Sequence, residues 1–165
     1  MSHDSELHQQ LHELACVTAR DAAAMVLSRH GELHDADTKA SDIDLVTEVD
    51  RASEELISKL LLAARPDDGI VGEEGASIAS TSGVQWLVDP IDGTTSFFYG
   101  LPGFSVSIAA RVGDQVVAGC VVAPAITTEY SAVLGQGATM NGDTIMCRDT
   151  ASLSKALVGT GFAPD

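Results

Sequence analysis

Apolar positions recur every three to four residues through the first third of the chain; after that they alternate or come in short blocks, so helices precede strands. Residues 5–30 read as a helix, with Leu7, Leu11, Leu14, Ala15, Ala22, Met25 and Val26 on one face and Gly31 placed to end it. Residues 31–42 are polar and loop-like, and 43–47 form a short strand-like piece. A second helix follows, with Asp50 near its start and Ala52, Leu56, Ile57, Leu60 and Leu61 as its buried stripe. Arg65-Pro66-Asp67-Asp68-Gly69 stops it. From Ile70 the pattern is that of strands. Ile70-Val71 leads into Gly72-Glu73-Glu74-Gly75, 75–83 is a small polar loop, and 84–88 is a strand. Residues 105–110 alternate, turn at 112–115 and return through 116–122. Residues 129–134 make a further strand, Asn141-Gly142 marks a tight turn in another hairpin, and 156–159 reads as one more strand. Two helices followed by hairpin-connected strands predict one α+β domain, its helices packed on a mostly antiparallel sheet.

The 165 residues suffice for one ordinary core, and 45% hydrophobic content places the chain among globular proteins. Aromatics are only 4%, so Ala, Val, Leu and Ile are expected to build that core. A formal charge of −15, from 24 acids against 9 bases, argues against nucleic acid and anionic membrane as partners. Most of those acids need be no more than a solvated surface. No apolar run reaches the roughly 18–20 residues of a membrane span, and the polar start lacks the order of a signal peptide. Cys16, Cys120 and Cys147 are odd in number and widely spaced, which fits free thiols in a reducing cytoplasm. His8 and His12 share a helix face, but the spacing places no acid or Cys to finish a zinc site, and an exposed face is expected.

The chemistry concentrates in Asp89-Pro90-Ile91-Asp92-Gly93-Thr94-Thr95, where an apolar strand ends in two carboxylates. Mg²⁺ takes hard oxygen ligands and shares them with a substrate phosphate. Pro90 fixes its own φ and removes a donor, so the chain can turn both Asp side chains and the Ile91 carbonyl to one side. A bridging carboxylate can hold two ions about 3.5–4 Å apart for in-line displacement at phosphorus. Gly93 allows close backbone approach, N–H groups opening a helix suit a phosphate, and the Thr94 hydroxyl can orient or deprotonate a water. No Ser-His-Asp set accompanies them, which suits direct attack by water. D-P-x-D-G alone is a common turn sequence, and exposed Glu pairs such as Glu73-Glu74 are common too. Their combination with a third acidic cluster at Asp44 and Asp50 is what points to a site. A calcium module is excluded by the lack of any D-x-[DN]-x-[DN]-G loop.

These residues resemble the inositol monophosphatase family of Mg²⁺-dependent, lithium-sensitive phosphatases, particularly its bacterial inositol-1-monophosphatase members. Four segments carry the likeness: Lys39 with Asp44-Leu45-Val46-Thr47-x-x-Asp50; Gly72-Glu73-Glu74; Trp86-Leu87-Val88-Asp89-Pro90-Ile91-Asp92-Gly93-Thr94-Thr95-x-Phe97; and Gly135-x-Gly137-Ala138-x-x-Asn141-Gly142. The resemblance implies the first half of an α-β-α-β-α sugar-phosphatase fold. It implies that Glu73, Asp89 and the Ile91 carbonyl hold a first metal, and that Asp89 bridges to a second, which Asp92 also binds. Glu73 with Thr94 would activate the attacking water, and Gly93, Thr94 and Asp92 would bind the phosphate. Asp50, Glu74 and Lys39 would surround these ligands.

Tyr99 stands where the family often has His. The family's W-D-x-A-A-G motif, which completes the second metal site, is absent, since the one tryptophan, Trp86, precedes Leu87. The chain is therefore expected to be the N-terminal part of such a phosphatase, with residues 1–165 as a single domain. Two or three Mg²⁺ sites occur in the family, and the second is incomplete here. The implied function is hydrolysis of inositol 1-phosphate or a related small phosphate by metal-activated water, in the cytoplasm, with a homodimer admitted. Open alternatives are a non-catalytic metal-binding or dimerisation module, and a phosphatase for fructose 1,6-bisphosphate, histidinol phosphate or 3′-phosphoadenosine 5′-phosphate.

Overall fold

Leu11, Ala15, Ala19, Ala22 and Val26 are fully buried along one face of helix α1 (His3–Arg29). Three of these five residues are alanine, which lets the helix lie close on the sheet beneath it. The computed structural model describes residues 3–30 and 39–158, with side-chain surroundings from 4 to 30 and from 48 to 158. Helix α2 (Lys39–Ala64) follows, then strands β1 (Gly69–Gly72), β2 (Ser77–Ile78) and β3 (Val84–Asp92), and the short helix α3 (Thr94–Phe98). Strands β4 (Ser105–Val112), β5 (Gln115–Ala123), β6 (Thr128–Val133), β7 (Gly137–Met140) and β8 (Asp143–Ile145) complete the sheet.

The eight strands lie in the order β2-β1-β3-β4-β5-β6-β7-β8. All neighbours are antiparallel except β1 and β3, which run parallel. Val84, Trp86 and Val88 of β3, Val106, Ile108 and Ala110 of β4, and Cys120 of β5 are buried on one face. Helix α1 packs against β4, β5 and β6, and α2 against β3 and α3. The expected α+β architecture, helices first and a mostly antiparallel sheet after, is the one observed. The Asn141-Gly142 turn joins β7 to β8 with both residues at positive φ (51° and 87°), as a two-residue hairpin turn demands.

Five expectations need correction. Residues 43–47, read as strand-like, are helical within α2 (Lys39–Ala64). Ile43, Val46 and Val49 are three apart, and that helical spacing outweighs their β-branched content. Of the loop expected at 31–42, residues 39–42 belong to α2, and 31–38 lie outside the described residues. The α2 stripe is also more polar than expected: Asp50, Ser53 and Glu54 are buried beside Val49, Ile57 and Leu61, whereas Ala52 is exposed. At the other end, 156–158 forms no strand and pairs with none of the eight, leaving Leu157 and Val158 exposed. Finally, the core is not purely aliphatic. Trp86, Phe97 and Phe104 are the largest fully buried or nearly buried side chains, and Phe97 meets Phe104 edge-on at 5.2 Å directly behind the acidic motif. The Trp86 indole N–H donates to Asp68 at 3.0 Å, and Asp68 is itself held by Arg65 and Ser82. This ties β3 to the end of α2. Among the described residues, no helix is long and apolar enough to cross a membrane.

Candidate metal and phosphate site

Parallel pairing of β1 with β3 sets Gly72 beside Val88, and the Glu73 N–H donates to the Val88 carbonyl at 3.2 Å. The next residue on each strand is an acid. Glu73 and Asp89 therefore come together, within range to share a proton, although they are distant in the chain. An open cavity of about 450 Å³ is lined there by Glu73, Asp89, Gly72, Val88 and Ser107.

Asp92 joins them through a bulge. Asp89 is paired with Ser107 and Asp92 with Ser105, so β3 takes three steps where β4 takes two. In a regular strand, residues three apart point to opposite faces; the extra residue brings them to the same side. Pro90 suits that position because it has no N–H for the ladder, and its carbonyl accepts the Ser53 hydroxyl at 3.2 Å. Asp92 is exposed, and the Ser105 hydroxyl donates to it at 3.5 Å.

The electrostatics are those of crowded acids. Burial pushes Asp89 up to about 7, helped by the charge of Glu73, its hydrogen bond and the charge of Asp92. Asp50, on α2 behind them, is also raised to about 7, first by burial and then by Glu74, Asp89, Glu73 and Glu54. One oxygen of Asp89, Oδ1, is buried without any donor. Both groups ordinarily ionise near 3.8, so between about pH 4 and 7 the folded chain binds more protons than the unfolded one. Their contribution then falls as pH rises from about 4 to 7 and levels off above 7. We expect the metal-free melting temperature to lose ground over that window and Mg²⁺ to restore it above pH 7. A melting temperature unaffected by Mg²⁺ at pH 8 would count against cation binding.

Beyond Asp92 the chain turns sharply. Gly93 has φ 86°, and a Cβ there would sit 2.5 Å from the Gly103 carbonyl oxygen. The Gly93 carbonyl accepts the Phe97 N–H at 3.1 Å, which starts α3 with Gly93 and Thr94 at its N-terminus. Thr94 Oγ1 donates to the Ile91 carbonyl at 3.0 Å, so a hydroxyl and a carbonyl stand side by side at the edge of the acids. Gly93→Ala should destabilise the fold by about 1–3 kcal/mol, because it combines left-handed strain with the clash. Denaturant melts would check it; an unchanged midpoint would mean that the loop at 103 yields freely.

The structure thus gathers Glu73, Asp89 and Asp92 with the Ile91 carbonyl, Gly93 and Thr94 nearby, and it sets Asp50 and Glu74 within their field. Lys39 begins α2, and its side chain lies outside the described residues. Sequence reasoning missed Glu54. Its carboxylate is buried and accepts the N–H groups of Glu74 at 2.9 Å and Ala76 at 2.8 Å, so it shapes the turn that presents Glu73. A Cβ on Gly72 would land on that carboxylate. One signal was present: Glu54 lies four residues beyond Asp50, on the same helix face.

Helices on a mostly antiparallel sheet, with acids gathered where β1 and β3 pair in parallel, define an α+β chain with a carboxylate cluster at its strand ends. The profile of the inositol monophosphatase family matches residues 7–165, and the chain belongs to that family. Inositol-1-monophosphatase SuhB of Mycobacterium tuberculosis is 40% identical over 172 residues, covering 93% of this chain and 59% of that protein. A Pseudomonas aeruginosa relative named Nus factor SuhB is 38% identical, covering 93% of this chain and 58% of its own length. Among solved structures, the inositol monophosphatase of Anabaena (Nostoc) sp. PCC 7120 superposes with a TM-score of 0.76 at 27% identity, covering 89% of this chain and 53% of that one. The suhB protein of Bartonella henselae gives 0.73 at 33% identity, with coverage of 85% and 54%. The chain spans less than two thirds of the length of these relatives.

Proposed function

We propose that this chain carries the metal and phosphate machinery of a Mg²⁺-dependent phosphomonoesterase acting on inositol 1-phosphate or a related small phosphate. The observation that carries this is the buried, donor-less Oδ1 of Asp89 among Glu73, Asp92 and Asp50. A cation is the partner such an oxygen calls for, and an all-oxygen donor set suits Mg²⁺. Glu73, Asp89, the Ile91 carbonyl and Asp92 would hold it. When bound, Mg²⁺ supplies Lewis-acid polarisation of the phosphate and offsets its charge.

The chain's own groups do the rest. Glu73 accepts the proton of the attacking water, and the Thr94 hydroxyl, already fixed on the Ile91 carbonyl, orients that water. Gly93 and Thr94, at the start of α3, receive the phosphate, with Asp92 beside it. Asp50, Glu74 and Lys39 set the surrounding charge. The proposed setting is cytoplasmic, with a small phosphate as substrate and a homodimer as the assembly. Its rival is a metal-binding or dimerisation module without turnover.

Phosphate release from inositol 1-phosphate, with and without Mg²⁺, separates the two. Mg²⁺-dependent release supports the enzyme; Mg²⁺ binding by calorimetry without release supports the module. The absence of both binding and release would overturn the site.

A further inference from the structure

Further along the sheet from the acids, α1 lies on β5 and β6 and brings two cysteines together. Cys16 and Cys120 are 4% and 1% exposed, and their sulfurs lie within 4.8 Å of each other and of a Glu129 carboxylate oxygen. His12, one turn before Cys16, places Nε2 at 3.5 Å from the Cys16 sulfur, and its Nδ1 is buried without a partner. The spacing in the sequence offered His12 no cysteine from another element and no acid; the fold supplies both. His8 and His12 are accordingly half-buried rather than exposed.

We infer that this cluster is a binding site for a thiophilic divalent cation, Zn²⁺ above all, separate from the phosphate site and independent of the function proposed for it. Tetrahedral zinc with two sulfur ligands at about 2.3 Å needs donors roughly 3.5–4 Å apart, so the three atoms are within about an ångström of the required spacing. Two thiolates select zinc over Mg²⁺, just as the all-oxygen acids do the reverse. Arg20 already orients the third donor: its Nε and Nη2 donate to the two Glu129 oxygens at 2.6 and 2.8 Å, and each oxygen keeps a lone pair. The Cys120 thiol hydrogen-bonds Cys16 and holds it below the ordinary thiol range, while the same bond and burial push Cys120 up, so Cys16 is the readier thiolate and the ion's own charge would have to draw the proton from Cys120. A cavity of about 560 Å³, lined by His12, Cys16, Arg20, Glu129 and Ser131 among others, gives the ion a way in. His12 is the remaining nitrogen donor on its rim.

Zinc entry is a plain ligand exchange. Two S–H protons pass to the buffer, two Zn–S bonds form, and no electron changes hands, so calorimetry in buffers of different ionisation enthalpy should count about two protons per ion. The decisive probe is Co²⁺ in place of Zn²⁺, because thiolate ligation gives an intense sulfur-to-cobalt charge-transfer band. The 165-residue chain should bind one equivalent with that band, and Zn²⁺ should displace it. Cys147→Ser, which removes the exposed thiol, and Asp89→Asn should both keep the band; Cys16→Ala and Cys120→Ala should each lose it. Glu129→Gln, at a partly exposed position, should weaken zinc at least about tenfold while leaving the fold intact by circular dichroism. No band in the parent chain, a band that survives both cysteine changes, or unaltered zinc affinity in a folded Glu129→Gln would overturn the assignment. If a cysteine variant does not fold, Glu129→Gln alone decides.

Discussion

Asp89→Asn is expected to cut Mg²⁺-dependent phosphate release by about a thousandfold or more, since it strikes the group proposed to anchor several kcal/mol of metal catalysis. The same change should raise the metal-free melting temperature at pH 8. There, Asp89 is ionised in a half-buried position beside Glu73 and Asp92, at a cost to the fold that a neutral amide escapes. The two readouts therefore move in opposite directions, which a merely structural residue would not produce. Activity within tenfold of the parent would sink the metal assignment, and a melting temperature that drops together with activity would make Asp89 a structural group.

Glu54→Ala should be the most damaging single change outside the hydrophobic core. It removes the acceptor of two part-buried backbone N–H groups, each costing about 1–3 kcal/mol when stranded, for a loss of roughly 2–6 kcal/mol in all. The damage has an address, because those N–H groups belong to Glu74 and Ala76, in the turn that directly follows Glu73. Mg²⁺ affinity should fall by about 10–100-fold in whatever fraction stays folded. Urea melts and magnesium titration would measure both. A stable Glu54→Ala with parental Mg²⁺ affinity would show that the turn holds itself.

How far the sequence disclosed this arrangement depended on range. Helix α1, the β4–β5 hairpin and the Asn141-Gly142 turn rest on neighbours in sequence, and periodicity or turn chemistry exposes them. The extent of α2 did not show, since Ile43 and Val46 fit a strand and a helix equally well over five residues. Nor did the aromatic backing of Phe97 and Phe104, because composition counts residues without saying where they meet. The acids were legible as a group, as Asp89-Pro90-Ile91-Asp92 carries both donors and the proline that marks the bulge. Glu54 was not, because one acid on a helix looks like solvated surface until its partners, 20 and 22 residues away, are known. The same holds for Cys16 and Cys120, which only the packing of α1 on β5 brings together.

The parallel pairing of β1 with β3 has a consequence for inheritance. Had the two strands run antiparallel, Glu73 and Asp89 would sit at opposite ends of the pair. As it is, every group assigned to the phosphate site whose side chain is described falls between residues 50 and 94, in one uninterrupted cassette. The strands β6, β7 and β8 stand at least three places from β3 in the sheet. Their hairpins touch none of the phosphate-site acids, so a change of loop length there would reach those acids only through β4 and β5.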